Sequence, residues 1–355
     1  MPGCSLVEHV IGRSFRALTI ENQFLSVTLL PDKGADIYAL GFKPRNVDVL
    51  WKSPWGLKAP GFGTPSFGAS TETAWLENYE GGWQEIFPNG GDACVYKGAP
   101  LNFHGEASTL PWDYTVRQND SSKVTVDFVV RLYRSPFLLR RSLTVERSLP
   151  AILLEETIEN QGEEDLHFMW GHHPAFGEPF LRGGCKLYVP AGRFLAHDVE
   201  ISSNSRLAPS ASGLWPVLHG KSGHSVDLSI VPPAGERVTE FGYLCDLEEG
   251  WYGLSNPALG FGVGMAWSKE VFPYLWFWQE LRGSFGYPWY GHCYVMAVEP
   301  FNSIPGSGLI KAMEGGTAPI LRAGSKLEAR LSAVFFEAGE PLSISTEGSA
   351  RMRSA

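Results

Sequence analysis

Three short stretches of this 355-residue chain set a histidine or a carboxylate where ordinary surface solvation is a poor explanation. In Leu101–Ser108 (LNFHGEAS), His104 sits beside Gly105, just after a long Gly-rich region. In Trp170–Gly177 (WGHHPAFG), His172 and His173 are adjacent. On a continuing strand they face opposite sides, so only one enters a given site. In Val295–Asn302 (VMAVEPFN), an apolar run leads straight into Glu299, with Pro300 expected to end the ladder. A carboxylate there is costly to bury without a purpose or a partner. Histidine and glutamate together are the equipment of general acid–base catalysis, in which a proton is removed from one atom of a substrate and delivered to another. Each residue also has a plainer role open to it: His104 as a surface histidine, His172 or His173 as a turn cap, Glu299 as the partner of an arginine such as Arg282.

Other chemistries find less support. The chain has no G-x-S-x-G, no Gly-rich phosphate loop before a helix and no H-E-x-x-H. A glycosidase-like carboxylate pair stays open, since Glu85, Glu106, Asp246, Glu280 and Glu299 all occupy interesting contexts. The five cysteines (Cys4, Cys94, Cys185, Cys245, Cys293) are scattered and form no CxxC pair, which predicts reduced thiols, a cytoplasmic location and no metal site.

The elements that must position these residues read as strands. Ala17–Ile20, Leu25–Leu30 and Ala35–Leu40 are short, with a Pro31–Gly34 turn between the last two. Lys123–Tyr133, Leu138–Arg147 and Ala151–Asn160 follow one another at hairpin distances. Leu166–Trp170, Gly260–Trp267, Tyr274–Trp278, His292–Val298 and Lys326–Phe336 complete the set. Valine, isoleucine and threonine abound, and no long segment keeps a 3.6-residue period. The pattern predicts an all-β fold, a large antiparallel β-sandwich. Between Lys58 and Gly91 it dissolves into an aromatic-rich stretch, expected to be an ordered functional loop. Neither repeat nor linker is evident. One domain over 1–355 is expected, with a core near 15–340 and a flexible polar tail from Ser343 to Ala355.

Bulk properties agree. Hydrophobic residues make up 44% and charged residues 19%, enough for a large core. A net charge of −9 without basic runs argues against nucleic acid as a partner. No apolar run approaches the roughly 18 residues of a membrane span, and the N-terminus lacks a signal-peptide pattern. The 12 Trp, 12 Tyr and 21 Phe serve a core, or present flat faces to a sugar.

The three stretches, in this order and spacing, resemble the aldose 1-epimerase (galactose mutarotase-like) family over about residues 20–337. Phe103-His104-Gly105, with Trp112 downstream, is similar to the family's sugar-binding leucine–histidine–glycine element. Gly171–Gly177 is similar to its asparagine–histidine–x–tyrosine–phenylalanine–asparagine element and puts His173 at the general-acid position. Ala297–Asn302 resembles the late strand that presents the catalytic glutamate, here Glu299. Gly171-His172 stands where the family has its asparagine and Ala175 where it has tyrosine, so the two histidines could exchange roles. The family's early arginine has no counterpart; Gly82–Asn89 occupies that region and places Trp83, Gln84 and Asn89 near the sugar. Asp246 matches a hydroxyl-binding aspartate poorly, and Trp278 and Gln279 fall where the family lines its cleft.

The resemblance implies the family's supersandwich and a mutarotase that interconverts the α and β anomers of a free aldose. Glu299 would be the base and His173 the acid, with His104 and His172 as binding groups and no cofactor. The partner is then a small monosaccharide, with no nucleic acid or membrane, and a homodimer is the assembly to consider. A non-catalytic carbohydrate-binding protein and a glycoside hydrolase or lyase on a similar fold are the competing readings. The departures point away from plain galactose to a deoxy, acidic or sulfonated sugar, with Lys52, Arg182 and Arg282 as candidate anion binders.

Overall fold

The structure, a computed structural model, describes residues 3–12, 14–58 and 70–353. Its strands form two large sheets whose ladders all pair antiparallel. The first runs, edge to edge, through Ser5–Ile11, Phe15–Glu21, Leu25–Leu30, Asp36–Phe42, Trp83–Ile86, Gly171–Gly177, Tyr294–Phe301, Tyr274–Leu281, Val238–Leu247, Ala191–Ala196 and Ser212–Leu214. The second runs through Lys186–Tyr188, Trp251–Asn256, Phe261–Trp267, Lys326–Glu337, Ala151–Asn160, Phe137–Glu146, Lys123–Arg131 and Asp113–Asn119. The all-β sandwich expected from the sequence is the fold observed.

Alternation along each strand decides what faces what. In Tyr294–Phe301 all eight residues are buried, because the large sheet is covered on both faces. Met296 and Val298 enter the main core between the sheets, with Leu275, Phe277 and Leu281 from the neighbouring strand. Val295 and Phe301 join separate clusters on the opposite face. A strand buried on both sides reads as an unbroken apolar run, which is why Glu299 stands out in it. The ladder continues past Pro300, which pairs with Leu275, to Phe301 against Tyr274. The expectation that Pro300 ends it is therefore corrected.

Two further expectations change. Part of the Lys58–Gly91 stretch, residues 59–69, lies outside the described residues. The remainder holds a helix, Thr71–Glu77, capped by Ser70 Oγ accepting from the Thr73 amide, and the strand Trp83–Ile86. The segment read as a flexible tail forms a hairpin, Pro341–Ile344 with Ala350–Met352. It docks because Ile344 buries against Trp251, Val334 and Phe336 on the outer face of the second sheet. All five cysteines are free, and no helix of the described residues is long and apolar enough to cross a membrane.

Candidate active site

A cavity of about 390 Å³ opens on the face of the large sheet turned away from the second sheet. That volume falls within the usual range of small-molecule sites, roughly 300–1,000 Å³. Strand register builds its floor. Trp276 pairs with Glu299, Trp278 with Ala297 and Phe241 with Trp278, so these side chains share one face. His173 belongs to the same face, because its strand pairs Gly171 with Phe301 and Ala175 with Ala297. Gly171 has to be small: a Cβ there would lie 2.3 Å from Phe301 Cδ2. Phe301 in turn stacks on Trp276 at 3.7 Å. The walls come from the helix, through Trp75 and the nearby Tyr79, and from the loop carrying Phe103 and His104.

Glu299 and His173 meet at the base of this cavity. His173 Nε2 lies 3.7 Å from Glu299 Oε1, too far for a direct hydrogen bond but close enough for one ligand to touch both. Glu299 is 2% exposed, and its Oε2 has no hydrogen-bond partner. Burial pushes its carboxyl well above the usual range. Burial also lowers His173 to about 4. Burial thus favours a protonated carboxyl beside a neutral imidazole, the same proton count as the expected carboxylate–imidazolium pair, with the proton on the other partner. Tyr79 Oη lies 3.3 Å from His173 Nδ1, and its ring packs edge-on against the imidazole.

His104 is held in the left-handed region at φ 57°, a conformation costing on the order of 1–3 kcal/mol in a non-glycine residue. Reciprocal bonds to Gly91 fix it: the His104 amide donates to the Gly91 carbonyl, and the Gly91 amide donates to His104 Nδ1 at 3.0 Å. An amide can only donate, so Nδ1 carries no proton. Burial, with His173 nearby, lowers His104 well below its ordinary value. The neutral ring therefore has Nε2–H as its available donor.

His104, His173, Trp278 and Glu299 line the cavity together. The other candidates do not. His172 faces the second sheet, fully buried, with Nε2 3.0 Å from Glu156 and Nδ1 accepting from Trp83. Trp83 shares that face and packs in the main core. Gln84 donates to Asp36 in a buried cluster with Lys33 and Glu80. Asn89 bridges the Asp92 and Asn102 carbonyls and accepts from the Leu309 amide. Gln279 points between the sheets and accepts from Arg206, the face opposite Trp278. Asp246 is exposed and pairs with Arg193. Each of these side chains is turned away from the cavity or engaged elsewhere.

The remaining sequence candidates resolve similarly. Glu85 pairs with Arg141, and Glu106 accepts from the Tyr133 and Arg134 amides. Trp112 is core, with the Arg141 guanidinium 5.0 Å from its ring centre. Glu280 does line the cavity, yet its carboxyl accepts from Thr239, Gly283 and Ser284. It pairs with Val295, four residues from Glu299 along the strand, or about 13 Å at ~3.3 Å per residue. Lys52 pairs with Asp48, Arg282 with Glu178, and Arg182 donates to the Pro179 carbonyl. No Lys or Arg lines the cavity among the described residues, whereas Glu72, Asp92, Glu200 and Glu280 do. Residues 59–69 contain no ionisable side chain either. The lining of the cavity is therefore acidic.

Sequence reasoning missed Trp75, Tyr79, His197, Phe241 and Trp276. Only Trp276 had a usable signal, two residues before Trp278 on one strand. The others reach the cavity through tertiary packing alone.

Similar folds occur in solved structures. A candidate aldose 1-epimerase from Klebsiella pneumoniae superposes with a TM-score of 0.71 at 15% identity, covering 95% of this chain and 85% of that one. A galactose mutarotase-like protein from Clostridium acetobutylicum gives 0.67 at 15% identity, covering 94% and 99%. A galactose mutarotase-like protein from Lactobacillus casei gives 0.54 at 20%, covering 89% and 99%. These likenesses show the galactose mutarotase-like fold. No curated protein matches the chain by sequence. One family model does, over residues 12–334, and the chain accordingly belongs to the family described as a domain of unknown function, DUF4432.

Proposed function

We propose that this protein is a mutarotase of the aldose 1-epimerase type, opening and reclosing the ring of a free, uncharged sugar. The observation that carries the reading is the convergence of Glu299 and His173 at the base of one cavity, 3.7 Å apart, beside Trp276 and Trp278. Tryptophan faces suit the apolar C–H face of a pyranose. An acidic, arginine-free lining suits hydroxyls rather than a phosphate, carboxylate or sulfonate.

From the resting protonation state, the Glu299 carboxyl gives its proton to the ring oxygen while His173 takes the proton of the anomeric hydroxyl. The C1–O5 bond breaks as the C1–O1 carbonyl forms. After rotation about C1–C2, the O5 hydroxyl adds to the other carbonyl face. Its proton returns to Glu299, and His173 protonates the carbonyl oxygen. For ring opening this inverts the expected roles, Glu299 as base on the anomeric hydroxyl and His173 as acid on the ring oxygen, because burial favours the proton on Glu299. His104 Nε2–H donates to a sugar oxygen throughout.

Saturation-transfer NMR on a panel of free aldoses tests this, because exchange between anomer signals reports turnover directly. Glu299→Gln and His173→Asn are each expected to slow exchange by about 10²–10⁴-fold. Unchanged exchange in both variants refutes the pair, and no acceleration by the wild type refutes the activity.

A further inference from the structure

His197, just beyond the end of the Ala191–Ala196 strand, lines the same cavity, and nothing in the chemistry above uses it. Its Nδ1 lies 2.7 Å from Tyr243 Oη. The same hydroxyl accepts from the Gly306 amide at 2.8 Å. Tyr243 is 1% exposed, so its single proton must go to a protein acceptor. The Gly306 amide cannot accept, which leaves His197 Nδ1 as the acceptor of that proton. Asp198 Oδ1, at 3.5 Å from the same nitrogen, is at the margin of hydrogen-bond distance and mostly exposed. Gly306 makes the relay sterically feasible: a Cβ there would come within 3.0 Å of Phe241 Cζ and 3.2 Å of Trp276 Cη2.

We infer that His197 is a specificity-determining residue, fixed by the Gly306–Tyr243 relay as a neutral imidazole whose Nε2–H donates to a sugar hydroxyl remote from the anomeric carbon. The remoteness follows from sheet order. The His197 strand lies three strands from that of Glu299, about 14 Å at ~4.8 Å per spacing. Phe241 and Trp276 floor the interval, with His197 packed 4.9 Å from Phe241. His104 stands on the other side of Trp276, its ring centre 6.5 Å away. The cavity thus offers two histidine donors with preset tautomers on either side of an aromatic floor. A hydroxyl oxygen accepts from such donors without either side paying for a charge.

This inference rests on the sugar reading of the site, and two measurements separate their fates. Imidazole ¹⁵N NMR of the wild type at neutral pH should show His197 protonated on Nε2, and Tyr243→Phe should remove that preference. Protonation on Nδ1 in the wild type overturns the relay, whatever the ligand is. Tryptophan-fluorescence titrations with aldohexoses and their 3-, 4- and 6-deoxy derivatives test the contact. His197→Phe should weaken the parent sugar about 10-fold and leave one deoxy derivative unaffected. Equal weakening of every derivative, or none, overturns the contact. Binding of no sugar by the wild type overturns the contact and the sugar reading together, while the tautomer result still decides the relay.

Discussion

At the scale of single residues, the site is defined by two groups that burial drives toward neutrality. Glu299 holds its proton above the usual carboxylate range, and His173 stays unprotonated down to about pH 4. On the proposed mechanism the one-proton state of the pair is the competent one, so anomer exchange should fall as pH drops through about 4, when His173 gains a second proton for the pair. A rate profile flat through pH 3 would contradict this. The same shifts make opposite demands on stability. Between pH 6.5 and about 4 the unfolded chain protonates His173 while the native one does not, so stability declines with acid, by up to roughly 3 kcal/mol at 1.36 kcal/mol per unit. For Glu299 the native state keeps a proton that the unfolded state loses above about 4.3, so stability declines as pH rises through that window. Urea unfolding across pH 4–9 should show Glu299→Gln flattening the alkaline slope and His173→Asn the acidic one.

At the scale of elements, the strand Gly171–Gly177 separates two histidines that the sequence leaves interchangeable. Register decides between them. His173 pairs with Gln84 and faces the cavity, while His172 pairs with Glu85 and faces the second sheet. Exchange should therefore survive His172→Asn within about 10-fold, provided the variant is assayed folded. The same substitution removes a partner from buried Glu156, a class of change costing about 3–5 kcal/mol. A variant as stable as the wild type but inactive would reverse the assignment of the two histidines. The helix Thr71–Glu77 was illegible for a physical reason. At seven residues it is too short to show a period, and it persists because Trp75 stacks on Tyr79 and packs against His104.

At the scale of the whole molecule, the two sheets are tied behind the site by a layer of buried charge. Arg141 and Glu156 from the second sheet meet Glu85 and His172 from the first, and Trp170 donates to Glu85. Arg141→Met should cost about 3–5 kcal/mol in chemical denaturation by leaving two carboxylates without their cation. A cost under 1 kcal/mol would show that the layer does not clamp the sheets. Strand content, the sandwich and the prominence of Glu299 were legible in the sequence, because alternation and a carboxylate within an apolar run are local signals, whereas the choice between His172 and His173 was not. The contributions of Trp75, Tyr79 and His197 were not, nor the withdrawal of Gln84, Asn89, Asp246 and Gln279. Which side chain faces the cavity depends on pairing register and on loops brought together from distant parts of the chain, and neither is written in any one segment. The sequence by itself determined which residue types were available for proton transfer. Only the tertiary structure decided which of them share a face, and it set their charge by removing water from around them.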